Sequence, residues 1–385
     1  MKIALLAASI LQDDPRPRRM LGWMQEISDD ISYIGLESDI SSMNYKKNIN
    51  SYVLNGNKRS FLDKVFLALC LFFGLFYLVE KRFANFTVTH EGTEACLENE
   101  FDLLVCSDLK MLPYAFEILS PKGRIFFDAR EYYPRQYEDR LIWSITIRRF
   151  YIYLCRKYLK KIDTVFTVGK GLQKAYKESF NLSCLYLPGY AEKSDITKNL
   201  RNENPIRLIY HGNTNPSRGT DILIEIMDFL PQKYQLDLML MTDYSDKWSQ
   251  KIREMVESRP NVSIRKPVPS NKLIEVGNEY DIGLVICRPS NFNLRNGMPN
   301  KFFEYIQSKL CIVCGIQKEM GKYIEEHKMG LNVNSNDPRK IAQEIQKLDF
   351  DKINYYKTNV EEASKFINSD AMKDLFINSL TETLQ

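Results

Sequence analysis

Short apolar runs alternate with helix-patterned segments along nearly the whole of this chain, and the alternation stops once and then restarts. Before the interruption the strand candidates are residues 2–8, 30–35, 86–89, 103–106, 124–128, 164–168 and 183–187, with helical patterns over 18–28, 109–119, 140–161 and 170–179. After it, strands over 206–210, 236–241, 262–265, 282–286 and 311–315 alternate with helices over 220–229, 247–258, 271–279, 300–309 and 321–327, and Pro338 heads a further helix. Strands apolar on both sides and separated by helices are buried on both faces, which means a parallel sheet wound on both sides. The interruption, Gly189 to Pro205 (GYAEKSDITKNLRNENP), is polar and reads as a linker. The expected organisation is an N-terminal α/β domain over 1–188, a linker over 189–205, a second α/β domain over 206–360 and a C-terminal helix in 361–385. Two such domains leave a cleft between the carboxyl ends of their strands, where ligands bind in sheets of this kind.

A length of 385 residues suits two domains of about 150 to 190 residues each. With 44% hydrophobic and 26% charged residues the chain is neither disordered, collagenous nor a coiled coil. A net charge of +4 gives no ground for binding nucleic acid through bulk charge. The eight cysteines stand mostly in apolar contexts, as buried reduced thiols of a cytoplasmic protein do. The opening MKIALLAASI runs into DDPRPRR with no small-residue cleavage site, so it reads as a buried strand rather than a secretory signal. No fixed-period repeat is present.

One apolar run stands out, the fifteen residues from Val65 to Val79 (VFLALCLFFGLFYLV), with charges on both flanks. As one helix it would extend roughly 22 Å, short of the roughly 30 Å hydrocarbon layer, so it does not span a bilayer. Apolar on every side, it suits a helix lying in one leaflet, a buried core helix or a partner-binding surface. The acid-free stretch from Arg140 to Lys161 mixes seven cations with Trp143, Phe150, Tyr151, Tyr153 and Tyr158, which suits an anionic lipid surface or, equally, the solvated face of a packed helix. Residues 61–83 are therefore the expected membrane-associating segment.

Several chemistries lack their sequence support. G-x-G-x-x-G is missing after the first strand of either half, and G-x-x-x-x-G-K-[ST] is missing throughout. The three histidines, 90, 211 and 327, stand in no metal-binding spacing, so no metal is expected. Cys311 and Cys314 lie in an apolar strand pattern, LCIVCGI, and read as core.

The informative segment is NLRNGMPNKFFEYIQSKL, Asn293 to Leu310. Pro299 suits the first position of a helix whose periodicity puts Lys301, Glu304 and Ser308 on one face and Phe302, Phe303, Ile306 and Leu310 on the other. Asn296, Gly297 and Met298 precede it as a tight turn, leaving the helix N-terminus for an anion such as a diphosphate. An exposed Lys–Glu pair at helical spacing is the plain alternative. A second element has the same chemistry: strand IRLIY runs into HGNTNPSRGTDILIEI, where Gly212 and Asn213 lead to Arg218, a guanidinium able to hold two phosphate oxygens or simply a surface residue in a turn. In the first domain Arg16, Arg18 and Arg19 follow the first strand, and Asp128, Arg130 and Glu131 follow another. Such clusters serve an anionic ligand or a solvated face.

The segments DPRPRRML, FFDAREYYP, IYHGNTNPSRGTDILIE, YDIGLVI and PNKFFEY, in this order, resemble the retaining nucleotide-sugar glycosyltransferases of the GT-B fold, group 1 or family four type. The likeness covers nearly the whole chain and is most specific in the second domain. It implies two Rossmann-like doubly wound domains facing across a cleft, a C-terminal helix crossing back to the first, and sugar transfer from a nucleotide sugar without a bound metal or other cofactor. It also implies that Glu304 binds the donor's ribose hydroxyls and that Arg218 holds its diphosphate. Departures are specific: Asn296 stands eight positions before Glu304 where many relatives carry a carboxylate near that spacing, Arg130 stands where relatives carry a sugar-contacting histidine, and Asn213 stands where a second basic residue is common. Lys301 is the candidate to supply that missing charge, making Arg218 and Lys301 the expected catalytic pair. Gly212, Asn213, Asn296, Gly297, Met298 and Pro299 complete the expected donor site, and Arg16, Asp128, Arg130 and Glu131 the acceptor or sugar side, Arg130 as a contact for an acidic sugar or acceptor phosphate. The acceptor is expected to be lipid-linked and the enzyme peripheral on the cytoplasmic face of the cell membrane, in surface polysaccharide or glycan synthesis. An inverting GT-B transferase, a sugar-nucleotide epimerase and a non-catalytic sugar-nucleotide-binding or membrane scaffold protein stay open as alternatives.

Overall fold

Residues 1–43, 45–54, 60–82 and 100–384 are described by the computed structural model; the strand expected over 86–89, together with His90 and Cys96, lies outside them. The chain forms two compact units, the first comprising Met1–Pro188, Asn291–Asn293 and the chain from Lys373 on, the second Gly189–Ser290 and Leu294–Met372.

In the first unit seven parallel strands among the described residues follow the order β3-β2-β1-β4-β5-β6-β7: β1 (Lys2–Ala7), β2 (Asp30–Gly35), β3 (Ile49–Val53), β4 (Phe101–Cys106), β5 (Leu119–Ala129), β6 (Thr164–Thr167) and β7 (Leu185–Tyr186). Five consecutive residues of β1, Ile3–Ala7, are fully buried, as a central strand covered on both faces requires. Helix α1 (Pro15–Met24) follows β1.

The apolar run is two helices rather than one. Helix α2 (Phe61–Phe73) starts at Ser60, whose hydroxyl accepts from the Asp63 amide, and stops at Gly74, which takes the left-handed conformation at φ 77°. Helix α3 (Phe76–Arg82) then turns away. Leu67, Cys70 and Leu71 form one buried stripe on α2, while the rest of its apolar surface is exposed. Among the described residues no helix is long and apolar enough to cross a membrane.

Helix α4 (Leu112–Ile118) packs under β4 and β5. The basic aromatic stretch is also broken, into α5 (Leu141–Ile145) and α6 (Ile147–Tyr158), at Thr146 with φ −117° and ψ −84°. The Thr146 hydroxyl donates to the Ile142 carbonyl 2.5 Å away, a side-chain bond of the kind that bends helices. Glu80 of α3 is buried against α6, accepting from Lys157 Nζ at 2.6 Å and from the hydroxyls of Tyr153 and Tyr158. Helix α7 (Lys170–Phe180) completes this part.

The second unit holds six parallel strands among the described residues in the order β10-β9-β8-β11-β12-β13: β8 (Ile206–Asn213), β9 (Tyr234–Met241), β10 (Val262–Arg265), β11 (Ile282–Val285), β12 (Cys311–Cys314) and β13 (Gly330–Asn332). Its helices are α8 (Thr220–Ile226), α9 (Lys247–Glu257), α10 (Leu273–Gly277), α11 (Phe292–Asn296), α12 (Asn300–Gln307), α13 (Lys318–Glu326) and α14 (Pro338–Gln346). Both sheets reverse direction of winding between the strand that opens the unit and its non-sequential neighbour, which makes each Rossmann-like. Cys311 and Cys314 are fully buried free thiols of β12.

Residues 189–205 have no regular structure but are held to the second unit. The Ser194 amide donates to Gln307 Oε1 at 2.9 Å, and Lys198 bonds Glu361 through its amide and its ammonium at 2.9 and 2.6 Å. The C-terminal pattern over 361–380 divides into α15 (Phe350–Ser364) and α16 (Ser369–Leu384). Asn368 makes the break: its amide group donates to the Ser364 carbonyl, and its side-chain oxygen accepts from the Asp370 amide at 3.1 Å. Within the first unit, Phe376 of α16 packs at 5.6 Å from Trp23 and 5.7 Å from Phe166.

Candidate donor-binding site

The winding reversal of the second sheet falls between β8 and β11, and there the two strands part. β8 pairs with β9 as far as Asn213, but with β11 only at Leu208 and Ile209. From Tyr210 on the two strands are no longer paired, and the carboxyl edge opens at the position where open α/β sheets bind ligands.

Into this opening comes Lys301, from the first turn of α12. Phe302, Phe303, Tyr305 and Ile306 are buried and fix the helix, which leaves Lys301 and Glu304 half-buried. The Lys301 ammonium lies 3.4 Å from the centroid of the Tyr210 ring. Gly212, at φ 130°, makes room for it: a Cβ there would stand 3.1 Å from Lys301 Nζ. Pro299 is the residue capping α12 rather than its first helical residue, with ψ 150°, because its carbonyl accepts the first bond from the Phe302 amide at 3.0 Å.

The charged and titratable members of the group act on one another. Burial holds the Lys301 ammonium well below the usual lysine range, and the positive charge of Arg218 lowers it further against the opposing pull of Glu304. His211 Nε2 lies 3.4 Å from Glu304 Oε2, and burial, then Lys301, pull the imidazole down to about 3, so it is neutral. Burial pushes the Tyr210 phenol up to about 12, with Arg218 opposing. Burial also raises the Cys287 thiol, against the charges of both Arg218 and Lys301. Gly212 thus lies against Lys301, and the charges of Arg218 and Glu304 act on its ammonium in opposite directions.

A clamp that the sequence did not reveal fixes the Arg218 loop. Arg288, just past β11, donates to Asp221 Oδ1 and Oδ2 at 2.7 and 2.6 Å and to the Pro216 carbonyl at 2.8 Å. Its own amide donates to the Ser217 carbonyl at 2.9 Å. Gly219, at φ 67°, turns the chain into α8. Asn213 is exposed, and its side-chain oxygen accepts from the Asn215 amide at 2.7 Å, so that oxygen is used in the turn. Asn296 ends α11, and Gly297 and buried Met298 connect it to Pro299. Arg288 left no signal in the sequence, whereas Tyr210 and His211 stand where the apolar run IRLIY passes into the glycine-containing loop.

In the first unit the expected sugar-side residues are paired with one another or with neighbours. Arg16 grips Asp128 with two bonds of 2.7 and 2.6 Å and also donates to the Pro188 carbonyl at 3.1 Å, with Asp128 fully buried. Arg130 donates to Asp14 Oδ2 at 2.5 Å. Glu131 accepts from Asn293 Nδ2 at 3.4 Å, and its carbonyl accepts from the Tyr176 hydroxyl at 2.8 Å. Arg16 and Asp128 each satisfy the other's charge, and together they fasten α1 and β5 to the end of the unit.

Residues 205–349 match the family model described as glycosyl transferases group 1. No curated protein matches the sequence. Among solved structures, sucrose-phosphate synthase from Thermosynechococcus elongatus is similar at a TM-score of 0.72 and 13% identity, over 100% of this chain and 99% of that one. Anabaena HepE in complex with UDP and glucose is similar at 0.69 and 11%, over 99% of each chain. The Escherichia coli trehalose-6-phosphate structure bound with UDP-2-fluoro glucose is similar at 0.65 and 14%, also over 99% of each. The fold of these structures is GT-B, and this chain shares it over its full length.

Proposed function

We propose that this chain, a glycosyltransferase of the GT-B fold with a group 1 domain over residues 205–349, moves a sugar from a nucleotide-sugar donor to a lipid-linked saccharide. The transfer needs no metal ion and retains the anomeric configuration. The observation that carries this reading is the seat of Lys301 at the open carboxyl edge of β8, its ammonium 3.4 Å from the Tyr210 ring and against Gly212, with Glu304 one helical turn along and the charge of Arg218 acting on it. Two like charges held together without an anion are unfavourable, and a donor diphosphate relieves them.

In the reaction the bond between the sugar's anomeric carbon and the diphosphate breaks, and the acceptor hydroxyl takes the sugar. Charge grows on the leaving nucleoside diphosphate. Arg218, which offers a forked donor, and Lys301, which regains its proton affinity as the anion arrives, stabilise that charge. Glu304 accepts from the ribose hydroxyls, and neutral His211 lies against it without competing for charge. The UDP and glucose bound to HepE and the UDP-2-fluoro glucose bound to the Escherichia coli structure support this class of donor. Arg130 contacts an acidic sugar or an acceptor phosphate in this reading, once released from Asp14. The acceptor belongs to surface polysaccharide or glycan synthesis, and the chain works on the inner face of the cell membrane.

The test is incubation of the purified chain with a panel of radiolabelled nucleotide sugars and a membrane lipid extract, followed by the anomeric assignment of the product by NMR. Label passing into the lipid fraction with retained configuration supports the proposal. Absence of transfer from every donor, or binding of UDP without turnover, overturns it.

A further inference from the structure

The first unit exposes more apolar surface than a chain in water ordinarily does. On α2 and α3, Phe61, Leu62, Leu69, Phe72, Phe73 and Tyr77 are each at least half exposed. Large apolar side chains left exposed in such number mark an interaction surface rather than a face turned to water. A second apolar surface stands on α5, where Leu141 and Ile142 are 77% and 76% exposed. Helix α5 is held on its other side by Trp143, which packs edge-on against Tyr137 and Tyr151. The exposed leucine and isoleucine are thus presented by a rigid mount.

Helix α6, which continues from α5, is tied to α2 and α3 at its start. Arg149, in its first turn and four residues after Ile145, donates to the Phe72 carbonyl at 3.0 Å and lies over the Phe76 ring at 5.6 Å. Around them the exposed cations are Lys64, Lys81, Arg140 and Arg149. Nearby carboxylates are largely engaged: Asp63 with Ser60, Glu80 with Lys157, Glu138 with Arg135, leaving Asp139 exposed beside Arg140. Aromatic and aliphatic side chains rimmed by cations match the chemistry of an anionic leaflet, with the hydrocarbon below and lipid phosphate above. Helix α2, thirteen residues and about 20 Å long, and the shorter α3 and α5 reach into one leaflet at most.

We propose that α2–α3 and α5 form a two-part membrane-docking surface joined by Arg149, and that both parts are needed to hold the chain on an anionic bilayer. This names the surface by which the proposed enzyme meets its lipid-linked acceptor and rests on that reading for its purpose. The second part lies outside residues 61–83, so the apolar segment alone is an incomplete anchor.

The experiment is sedimentation of the full chain with vesicles of equal parts phosphatidylcholine and phosphatidylglycerol, and with phosphatidylcholine alone. Wild type is expected to sediment with the anionic vesicles and weakly with the neutral ones. The double variants Leu141→Asp/Ile142→Asp and Phe72→Asp/Phe73→Asp are each expected to lose about tenfold or more in vesicle affinity, the transfer of two large apolar side chains being forfeited. These positions are exposed, so folding is preserved, and UDP binding by calorimetry is expected to match wild type in both. That control separates the two proposals, since failure of UDP binding in wild type overturns the donor site and leaves the vesicle result standing. Docking is overturned if wild type stays in the supernatant, if the α5 variant sediments like wild type, if neutral vesicles bind as well as anionic ones, or if wild type is a dimer that the variants convert to monomer.

Discussion

The Lys301 ammonium sits 3.4 Å above the Tyr210 ring and over Gly212, the residue two positions further along the same strand. Helix α12 supplies the cation and β8 supplies its seat. The ring face attracts the ammonium, while burial and then the charge of Arg218 lower its affinity for its proton against the pull of Glu304. The site stores an unfavourable charge arrangement that an anion removes.

Lys301→Met is therefore expected to stabilise the unliganded protein while it weakens donor binding. In the unfolded chain Lys301 titrates near the ordinary lysine value of about 10.4. In the folded chain it titrates lower, so between those two values the unfolded state binds more protons and wild-type stability rises with pH. The variant should lose that contribution to the pH slope and show a higher Tm at neutral pH, by thermal unfolding across a pH series. An unchanged slope would mean that Lys301 keeps a normal pKa.

Donor binding should also be linked to protons. Because the diphosphate raises the Lys301 pKa, UDP should bind with proton uptake and more weakly as pH climbs above the depressed value of the free site. Calorimetry in buffers of differing ionisation enthalpy measures the uptake directly, and Lys301→Met should abolish it.

Arg218→Ala is expected to lower kcat by about 10²- to 10³-fold, the usual cost of one donor aimed at transition-state charge. UDP affinity should fall less than kcat, since the charge on the leaving group grows as the bond breaks. Equal losses in both would assign Arg218 to ground-state binding.

Much of this was legible in the sequence because burial on both faces writes an unbroken apolar run. IRLIY and LCIVCGI are such runs, and both are central strands. β3, INSYV, was missed because it is an edge strand, half solvated, with nothing to force its residues apolar. The break of the apolar segment had a local signal in Gly74, whereas the break at Thr146 had neither glycine nor proline to mark it. Arg218 and Lys301 could be found because each stands in a recognisable local frame of turn residues and helix start. Arg288 could not: its partners lie in the turn after β8 and in α8, and sheet order, not spacing along the chain, brings them together.

Glu304→Gln is expected to weaken UDP binding by about ten- to a hundredfold, the range for a hydrogen bond to a charged group. Most of that loss should vanish when 2′-deoxy-UDP is the ligand, because the neutral amide and the missing hydroxyl remove the same interaction. Calorimetry of the two proteins with the two nucleotides gives the coupling. Additive losses would place Glu304 away from the ribose.

Arg288 tests whether the loop must be held for Arg218 to act. Its guanidinium spans Asp221 and the Pro216 carbonyl, so it fixes both ends of the turn that carries Arg218 while the guanidinium fork faces Asp221. Arg288→Leu leaves Asp221 buried without its partner and should lower Tm as well as kcat. Arg288→Lys keeps the charge but cannot make the two-pronged contact, so it should recover most of the Tm and only part of kcat. KM for the donor should move less than kcat in both, since a misplaced Arg218 still attracts the diphosphate but no longer lies where charge develops. A lysine variant with wild-type kcat would reduce Arg288 to an ion pair that merely stabilises α8.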